Sequence, residues 1–170
     1  MRIRTLLALA ISTLLAGCFA SDRPMFSPAS AVPALGDGGR YATFQRDQGA
    51  EKPSDPMVVR PGAGGAYDFV NEKGHATPVT FHPIAGGMHV LQVRLDGDQG
   101  YGYIVARITG DEIVVIPAEC AKQDKAKMDA LGVVPRNQYE CRIDRVADPA
   151  AFFAGLTFTP SVGRMVKQPQ

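Results

Sequence analysis

Short stretches in which apolar and polar residues alternate recur through the middle of the chain. In residues 66–71, AYDFVN, two aromatic side chains alternate with polar ones, and in residues 88–95, MHVLQVRL, His89 shares a face with three aliphatic residues. A period of two is the pattern of a half-buried β-strand. Glycine-rich turns at 61–65, 85–87 and 96–100 separate such stretches, so the pattern predicts an antiparallel meander.

The predicted strands cover residues 40–46, 57–60, 66–71, 76–84, 88–95, 101–108, 112–117 and 139–143. Residues 47–56, DQGAEKPSDP, are polar and predict a loop. Pro78 and Pro83 cannot donate a hydrogen bond to a neighbouring strand, so we expect strand 76–84 to lie towards a sheet edge.

The pattern changes after residue 116. Residues 117–132 are rich in helix formers and end at Gly132, which is typical of a helix terminus. Asp148 as N-cap and Pro149 in the first turn predict a second, short helix. We therefore expect one mainly β (α+β) domain at residues 40–165, an antiparallel β-meander or a small barrel or half-barrel. It would carry one or two short helices near its C-terminus, and residues 157–170 would add a strand and then fray, with the frayed tail at 166–170.

The N-terminus carries a different pattern. Arg2 and Arg4 precede the uncharged run LLALAISTLLA at residues 6–16, which is shorter than the roughly 20 residues needed to cross a bilayer. A basic start, a short apolar run and small residues at its end are typical of a secretory signal peptide. The tetrapeptide LAGC at residues 15–18 resembles the lipobox of bacterial lipoproteins.

This resemblance implies that residues 1–17 are a lipoprotein signal peptide and that the Cys18 thiol receives a diacylglyceryl group. Cys18 would then become the acylated N-terminus, and several acyl chains on one residue anchor a protein stably. The resemblance also implies a place in the cell envelope. Because Phe19 rather than Asp follows the cysteine, it implies an outer-membrane anchor with the domain facing the periplasm. Two alternatives are a secreted protein cleaved after Ala20 and an uncleaved anchor.

Residues 18–39 hold three prolines, several Ser and Ala, and no sustained period. We interpret them as a semi-rigid tether, which would extend by up to about 3 Å per residue. The alternative is that at least one of its apolar residues packs on the domain, and these residues are Met25, Phe26, Val32 and Leu35.

The charge balance excludes some partners. The chain has 18 basic and 17 acidic residues; two of the basic ones and no acidic one lie in residues 1–17, so the remainder carries a net charge of −1. A near-neutral surface favours neither nucleic acid nor a polybasic contact with anionic lipid. We expect the partners to be the membrane, through the N-terminal lipid, and an envelope protein or a small ligand.

Three cysteines leave one unpaired if two form a disulfide. Assigning Cys18 to the lipid leaves Cys120 and Cys141, which we expect to form a disulfide in an oxidising compartment. A redox pair or a zinc site is the alternative, but catalytic dithiols usually lie two residues apart, and zinc needs more ligands at closer spacing.

His75, His82 and His89 recur every seven residues and are the candidate metal ligands. A two-residue turn between the strands would bring His82 and His89 to one face, whereas the three-residue turn 85–87 would put them on opposite faces. We expect surface or turn histidines, no metal and no cofactor. The turn DGDQG at 96–100 lacks the remaining ligands of a calcium loop. Tyr67, Phe69, Tyr101 and Tyr103 could form an aromatic face, and core packing is the default expectation.

No nucleophile, phosphate-binding or metal motif is complete in the sequence. The leading interpretation is therefore a lipid-anchored envelope protein whose β-rich domain binds or builds without catalysis. A second is an inhibitor of an envelope hydrolase, either a lysozyme or a protease, which would present a rigid loop at 47–56 or 96–100. A third is an enzyme whose site residues are dispersed along the chain.

Overall fold

The computed structural model describes residues 19–95, 97, 99–137 and 140–169. The strands are β1 Phe19–Ser21, β2 Gly39–Asp47, β3 Ala50–Pro61, β4 Ala66–Val70, β5 Ala76–Ile84, β6 Met88–Arg94, β7 Tyr101–Thr109, β8 Glu112–Val115, β9 Val134–Pro135, β10 Cys141–Arg142 and β11 Gly163–Lys167. The helices are α1 Lys125–Ala130 and α2 Pro149–Ala154. The mainly β class with short C-terminal helices is confirmed.

Eight of these strands close into an antiparallel barrel. Strands β2 to β8 follow one another around the ring in chain order, and β11 pairs with both β8 and β2, which closes it. The predicted meander is thus a closed up-and-down barrel. Closure gives every strand of the ring a neighbour on each side over at least part of its length, and eight strands leave an interior just wide enough for side chains to fill.

The barrel interior holds the first of two hydrophobic cores, called here the inner core. Its buried residues are Leu35, Tyr41, Val59, Tyr67, Phe69, Val79, Phe81, Leu91, Val93, Ala106 and Ile113. Leu35 comes from the segment that precedes β2. Its backbone N–H donates to the Tyr67 hydroxyl at 3.1 Å, and that hydroxyl donates to the Gly36 carbonyl at 2.9 Å. These bonds hold residues 35–36 against a side chain of the inner core.

The second core, called the outer core, lies against the outward face of β6 and β7. Residues 116–162 leave the barrel after β8, carry α1, β9, β10 and α2, and return as β11. The buried residues of the outer core are Phe19, Phe26, Val90, Tyr103, Val105, Ala118, Cys120, Met128, Val133, Cys141, Ile143, Val146, Phe152, Phe153 and Leu156. One sheet wall therefore separates two apolar clusters.

Strand β5 is not an edge strand, contrary to the sequence prediction. It pairs with β4 over residues 76–80 and with β6 over residues 79–84. Pro78 lies where only β4 is paired, and Pro83 lies where only β6 is paired. The two ladders are staggered, so each proline has a neighbouring strand on one side only, which is how a proline is tolerated within a sheet.

The polar loop predicted at residues 47–56 is also wrong. Asp47 pairs with Ala50 across a two-residue turn in which Gln48 has φ 49° and Gly49 has φ 86°. Positive φ at both central residues is typical of a tight hairpin turn. Residues 50–57 of β3 pair with β2 alone, since β4 joins β3 only at Val58. This single pairing leaves room for two prolines and several charged side chains.

The tether predicted at residues 18–39 is contradicted from Phe19 onward. Phe19 and Ala20 lie in a paired strand, and Phe26 and Leu35 are buried in the two cores. The alternative, in which apolar residues of this segment pack on the domain, describes the structure. Extended proline-containing backbone here provides hydrogen-bonding groups and apolar side chains that the barrel wall can pair and bury.

Three further boundaries differ from the predictions. The helix predicted at 117–132 forms only over α1, after a 3-10 turn at Cys120–Lys122. Of the strand predicted at 139–143, Tyr139 lies outside the described residues, and within 140–143 the strand β10 covers Cys141–Arg142. The tail predicted to fray from 166 is paired through Lys167, because β11 closes the barrel. The second predicted helix is confirmed, with the Asp148 carboxylate accepting from the Ala151 N–H at 3.0 Å.

Candidate functional site

The first strand, β1, directly follows the proposed lipid-bearing residue in the sequence. Cys18 lies outside the described residues, but β1 starts at Phe19 and pairs antiparallel with β7 and parallel with β10. Phe19, Ala20 and Ser21 are 1%, 4% and 0% exposed. The three residues that follow Cys18 are therefore an integral part of the sheet.

Phe19 is held by the second helix. Its ring meets those of Phe152 and Phe153 edge-on, with centroid separations of 5.3 and 5.8 Å. Helix α2 places these two neighbouring aromatic side chains against the outer core, where both are buried. Edge-to-face rings contribute about 0.5–1.5 kcal/mol beyond the area they bury.

Buried polar groups hold the segment that follows β1. The Ser21 and Tyr103 hydroxyls lie 2.7 Å apart, and the Met25 N–H donates to Tyr103 at 2.9 Å. The Gln92 side-chain carbonyl accepts from the Phe26 N–H at 3.0 Å. Burial raises the pKa of Tyr103 above its usual value, so its hydroxyl stays protonated. Sequence reasoning missed Ser21 and Gln92, because nothing local shows that these outward positions are covered.

An open depression of about 370 Å³ lies beside this segment. Its lining residues are Asp22, Arg23, Pro24, Met25, Asp144, Val146, Ala147 and Pro149. The Arg142 guanidinium contacts the carboxylates of Asp22 and Asp144, and the Asp22 N–H donates to Asp144 at 2.6 Å. Both carboxylates therefore share the Arg142 guanidinium, and Asp144 also accepts from a backbone N–H.

The Cys120–Cys141 pair is at disulfide distance, with Cα atoms 5.8 Å apart, within the range that a disulfide requires. Both residues are buried in the outer core, and Cys141 pairs with Phe19 across β1 and β10. The cross-link therefore joins the 3-10 turn before α1 to the strand that flanks β1.

The histidines do not converge. The turn Ala85–Gly87 has three residues between paired Ile84 and Met88, so His82 faces outward and His89 faces the barrel interior, as the odd-numbered alternative predicts. His75 lies in the turn before β5. Within the described residues no group of three or more His, Cys, Asp or Glu side chains is arranged to hold a metal ion.

His82 is 1% exposed and is held on both ring nitrogens. Its Nδ1 lies 2.9 Å from the Ser30 hydroxyl and its Nε2 lies 2.8 Å from the Thr80 hydroxyl. Ser30 donates its only hydroxyl hydrogen to the Ser27 carbonyl at 2.8 Å, so it accepts from Nδ1–H, and Thr80 donates to Nε2. This assignment is a neutral imidazole, and burial lowers the pKa of His82.

His82 also stacks on Phe26, with ring centroids 4.5 Å apart. The contact between His82 and Ser30 therefore holds the N-terminal segment in place. It does not activate the serine, since the Ser30 hydrogen is committed to a carbonyl. His89 differs: burial lowers its pKa, and its Nδ1 is buried without a hydrogen-bond partner.

The aromatic residues proposed as a single face separate between the cores. Tyr67 and Phe69 lie in the inner core, whereas Tyr103 lies in the outer core and Tyr101 packs against it. In the turn 96–100, Asp96 and Asp98 lie outside the described residues, so the candidate calcium-like loop is not described.

The β2–β3 hairpin carries the other feature that sequence reasoning missed. Arg164 on β11 binds Glu51 through two nitrogens at 3.0 Å each and Glu112 at 3.0 Å, and lies over the Phe44 ring at 4.8 Å. The hydrogen bond from Arg164 lowers the pKa of Glu51. These contacts fix the outer side of a hairpin whose second strand has one neighbour.

The fold and this geometry define a class of protein, an eight-stranded antiparallel barrel with a side layer that β1 joins to the barrel wall. Comparison of the chain with protein-family models, with curated proteins and with solved structures finds no match in any of the three. No helix in the described residues is long and apolar enough to span a bilayer.

Proposed function

We propose that this protein is a lipid-anchored protein of the cell envelope whose barrel domain binds or builds without catalysing a reaction. The observation that carries the proposal is the burial of Phe19, which is 1% exposed. Processing before Cys18 leaves every residue of β1 in the mature chain, and it leaves Cys18 directly attached to that strand.

The same observation argues against processing after Ala20. That cut would remove Phe19 and Ala20, two of the three residues of β1. It would also take away the ring that packs on Phe152 and Phe153. Loss of a buried Phe side chain costs about 3–5 kcal/mol, a large part of the roughly 5–15 kcal/mol that stabilises a typical domain.

A non-catalytic role rests on how the polar side chains are used. The buried hydroxyl and imidazole groups around His82 and Tyr103 bond one another or the backbone. The Asp22 and Asp144 carboxylates beside the open depression both contact Arg142, and Asp144 also accepts from the Asp22 N–H. Groups held in this way stabilise the N-terminal segment and leave none of them poised as a nucleophile with its base.

The test is the intact mass of the mature protein from the membrane fraction. We expect cleavage before Cys18 and added acyl mass, and we expect the Cys18→Ser variant to lose both the added mass and its place in that fraction. A mature chain that begins at Ser21, or an unmodified Cys18, would refute the proposal.

Inhibition of an envelope hydrolase is the second candidate, favoured by the braced β2–β3 hairpin. Lys52 bonds Asp47 at 2.7 Å near its tip, and Glu51 is held by Arg164. An inhibitor would slow a lysozyme or a protease in a stoichiometric assay, and Lys52→Glu would weaken it while Lys73→Glu in the β4–β5 turn would not. If the natural protein inhibits neither a lysozyme nor a protease, this candidate function is ruled out.

A further inference from the structure

The peptide bond between Cys18 and Phe19 limits how far a lipid on Cys18 can lie from β1. Consecutive Cα atoms are about 3.8 Å apart, so Cys18 lies within one such step of Phe19. Phe19 is fixed in the sheet and buried. An acyl chain on Cys18 therefore starts at the wall of the domain, with no spacer residues between them.

The neighbours of β1 define which wall this is. On one side, β10 and β9 extend the sheet, and Cys141 and Pro135 lie in the same row as Phe19. On the other side, β1 and β8 pair with successive parts of the same edge of β7, because β6 occupies its other edge over residues 101–107. The start of β1 therefore lies between β10 and the end of β8.

Two exposed aliphatic residues lie near that point. Val134 is 56% exposed and Val162 is 37% exposed, and they are the large hydrophobic residues that the described part of the chain exposes most. Val134 lies in the row that joins β9, β10 and β1, through Arg142 and Ala20. Two strand spacings of about 4.8 Å put it roughly 10 Å from β1.

Val162 lies beyond the start of β1, towards β11. Its N–H donates to the Val115 carbonyl at the end of β8. Along β7, Phe19 pairs with Tyr103 and Val115 pairs with Ala106. Tyr103 and Ala106 are three residues apart along β7. Three steps of about 3.3 Å along the strand, combined with one strand spacing of about 4.8 Å, put Val162 roughly 11 Å from β1. A lipid on Cys18 would thus enter the bilayer close to both exposed valines.

We propose that the domain lies directly against the phospholipid bilayer, with this wall facing it and with Val134 and Val162 entering the lipid interface. The inference rests on the proposed lipid anchor at Cys18. The net charge of −1 after residue 17 supplies no attraction to lipid, so the contact depends on the anchor and on apolar burial. The diametrically opposite wall is strand β3, four strands from β7 in either direction.

The absence of tryptophan from the chain provides a clean probe. Single variants Val134→Trp, Val162→Trp and, on the opposite wall, Arg60→Trp are purified as full mature lipoprotein and reconstituted into phosphatidylcholine vesicles with or without brominated acyl chains. All three positions are exposed, where substitutions rarely cost more than about 0.5 kcal/mol. The Cys18→Ser chain of each variant, mixed with the same vesicles, is the matched control without lipid.

Apolar side chains at an interface lie about 5–10 Å into the boundary between headgroups and acyl chains, so brominated lipid should quench the emission of Val134→Trp and of Val162→Trp by roughly twofold or more. The Arg60→Trp emission should not change, and neither should that of any Cys18→Ser chain. Protein that floats with the vesicles but is unquenched at positions 134 and 162, or quenched equally at position 60, would overturn this inference and leave the anchor standing. Protein that carries no acyl mass would instead overturn the proposed function.

Discussion

At the scale of single residues, three buried polar side chains form hydrogen bonds that hold the N-terminal segment in place. Gln92 offers its amide to the backbone of Phe26, Ser21 bonds Tyr103, and His82 bonds Ser30. An unsatisfied buried polar group costs about 1–3 kcal/mol, so each of these residues makes the segment's docked position the favourable one. They specify where the segment lies more than they add to stability.

His82 gives the domain a predictable dependence on pH. Burial lowers its pKa in the folded protein, so below the ordinary value of about 6.5 the unfolded chain binds a proton that the folded chain does not. The stabilisation is complete above that value and is lost as pH falls through it. Unfolding by urea at about pH 7.5 and about pH 5.5, on either side of that value, should therefore show a smaller pH effect in His82→Gln than in the natural chain.

His82→Gln should also lower the free energy of unfolding at the higher pH by about 1–3 kcal/mol, because Ser30 and Thr80 lose their partner. His89→Gln is measured in parallel, since burial also lowers the pKa of His89. Equal pH effects in the natural chain and in His82→Gln would show that this imidazole does not stay neutral on folding.

At the scale of elements, the period-two pattern located β4, β5 and β6 well. In each of these strands one face is apolar, and the other face includes polar side chains. It failed where a polar residue is covered by a distant segment, as with Gln92 under Phe26. It also failed for β3, whose prolines and charges are tolerated since residues 50–57 have a single neighbour. Neither circumstance is written in the local sequence.

The N-terminal segment shows the same limit. Its prolines are compatible with an extended tether and also with an extended segment packed on the domain. Which of the two forms depends on whether distant residues of the chain bury its side chains. Phe19 finds Phe152 and Phe153, more than a hundred positions away in the chain. For the candidate site, Cys18, Cys120 and Cys141 could be selected from the sequence, whereas the burial of Phe19 directly after the proposed anchor residue could not.

The disulfide yields the prediction at this scale. Cys120 and Cys141 are 21 positions apart, and closing a loop of that size stabilises a fold by about 3 kcal/mol in the loop-entropy model. Reduction of the natural chain should lower its free energy of unfolding by about 2–4 kcal/mol, measured with urea. The Cys120→Ala, Cys141→Ala double variant should have a free energy of unfolding close to that of the reduced natural chain, and reductant should not change it. A natural chain that loses no stability on reduction would contradict this.

At the scale of the whole molecule, two cores share one sheet wall. On β5, Phe81 faces the inner core while His82 faces the covered outer side, and on β6 Leu91 and Val90 divide in the same way. Neither core can lose its packing without exposing one face of these strands. The barrel and its side layer should therefore unfold as one cooperative unit.

Phe19→Ala tests that coupling from the end of the chain where we propose the lipid. Removing this ring leaves a cavity between β1 and α2, and we expect a loss of about 3–5 kcal/mol in the free energy of unfolding. Because the cores are coupled, far-ultraviolet and near-ultraviolet circular dichroism should report the same lowered urea midpoint. Exposed Val162→Ala is the matched control and should change the free energy by no more than about 0.5 kcal/mol. Phe19→Ala could instead lower only the near-ultraviolet midpoint, while the far-ultraviolet midpoint stays equal to that of the natural chain. The side layer would then unfold separately from the barrel. The proposed anchor would then be joined to a layer that unfolds separately from the barrel.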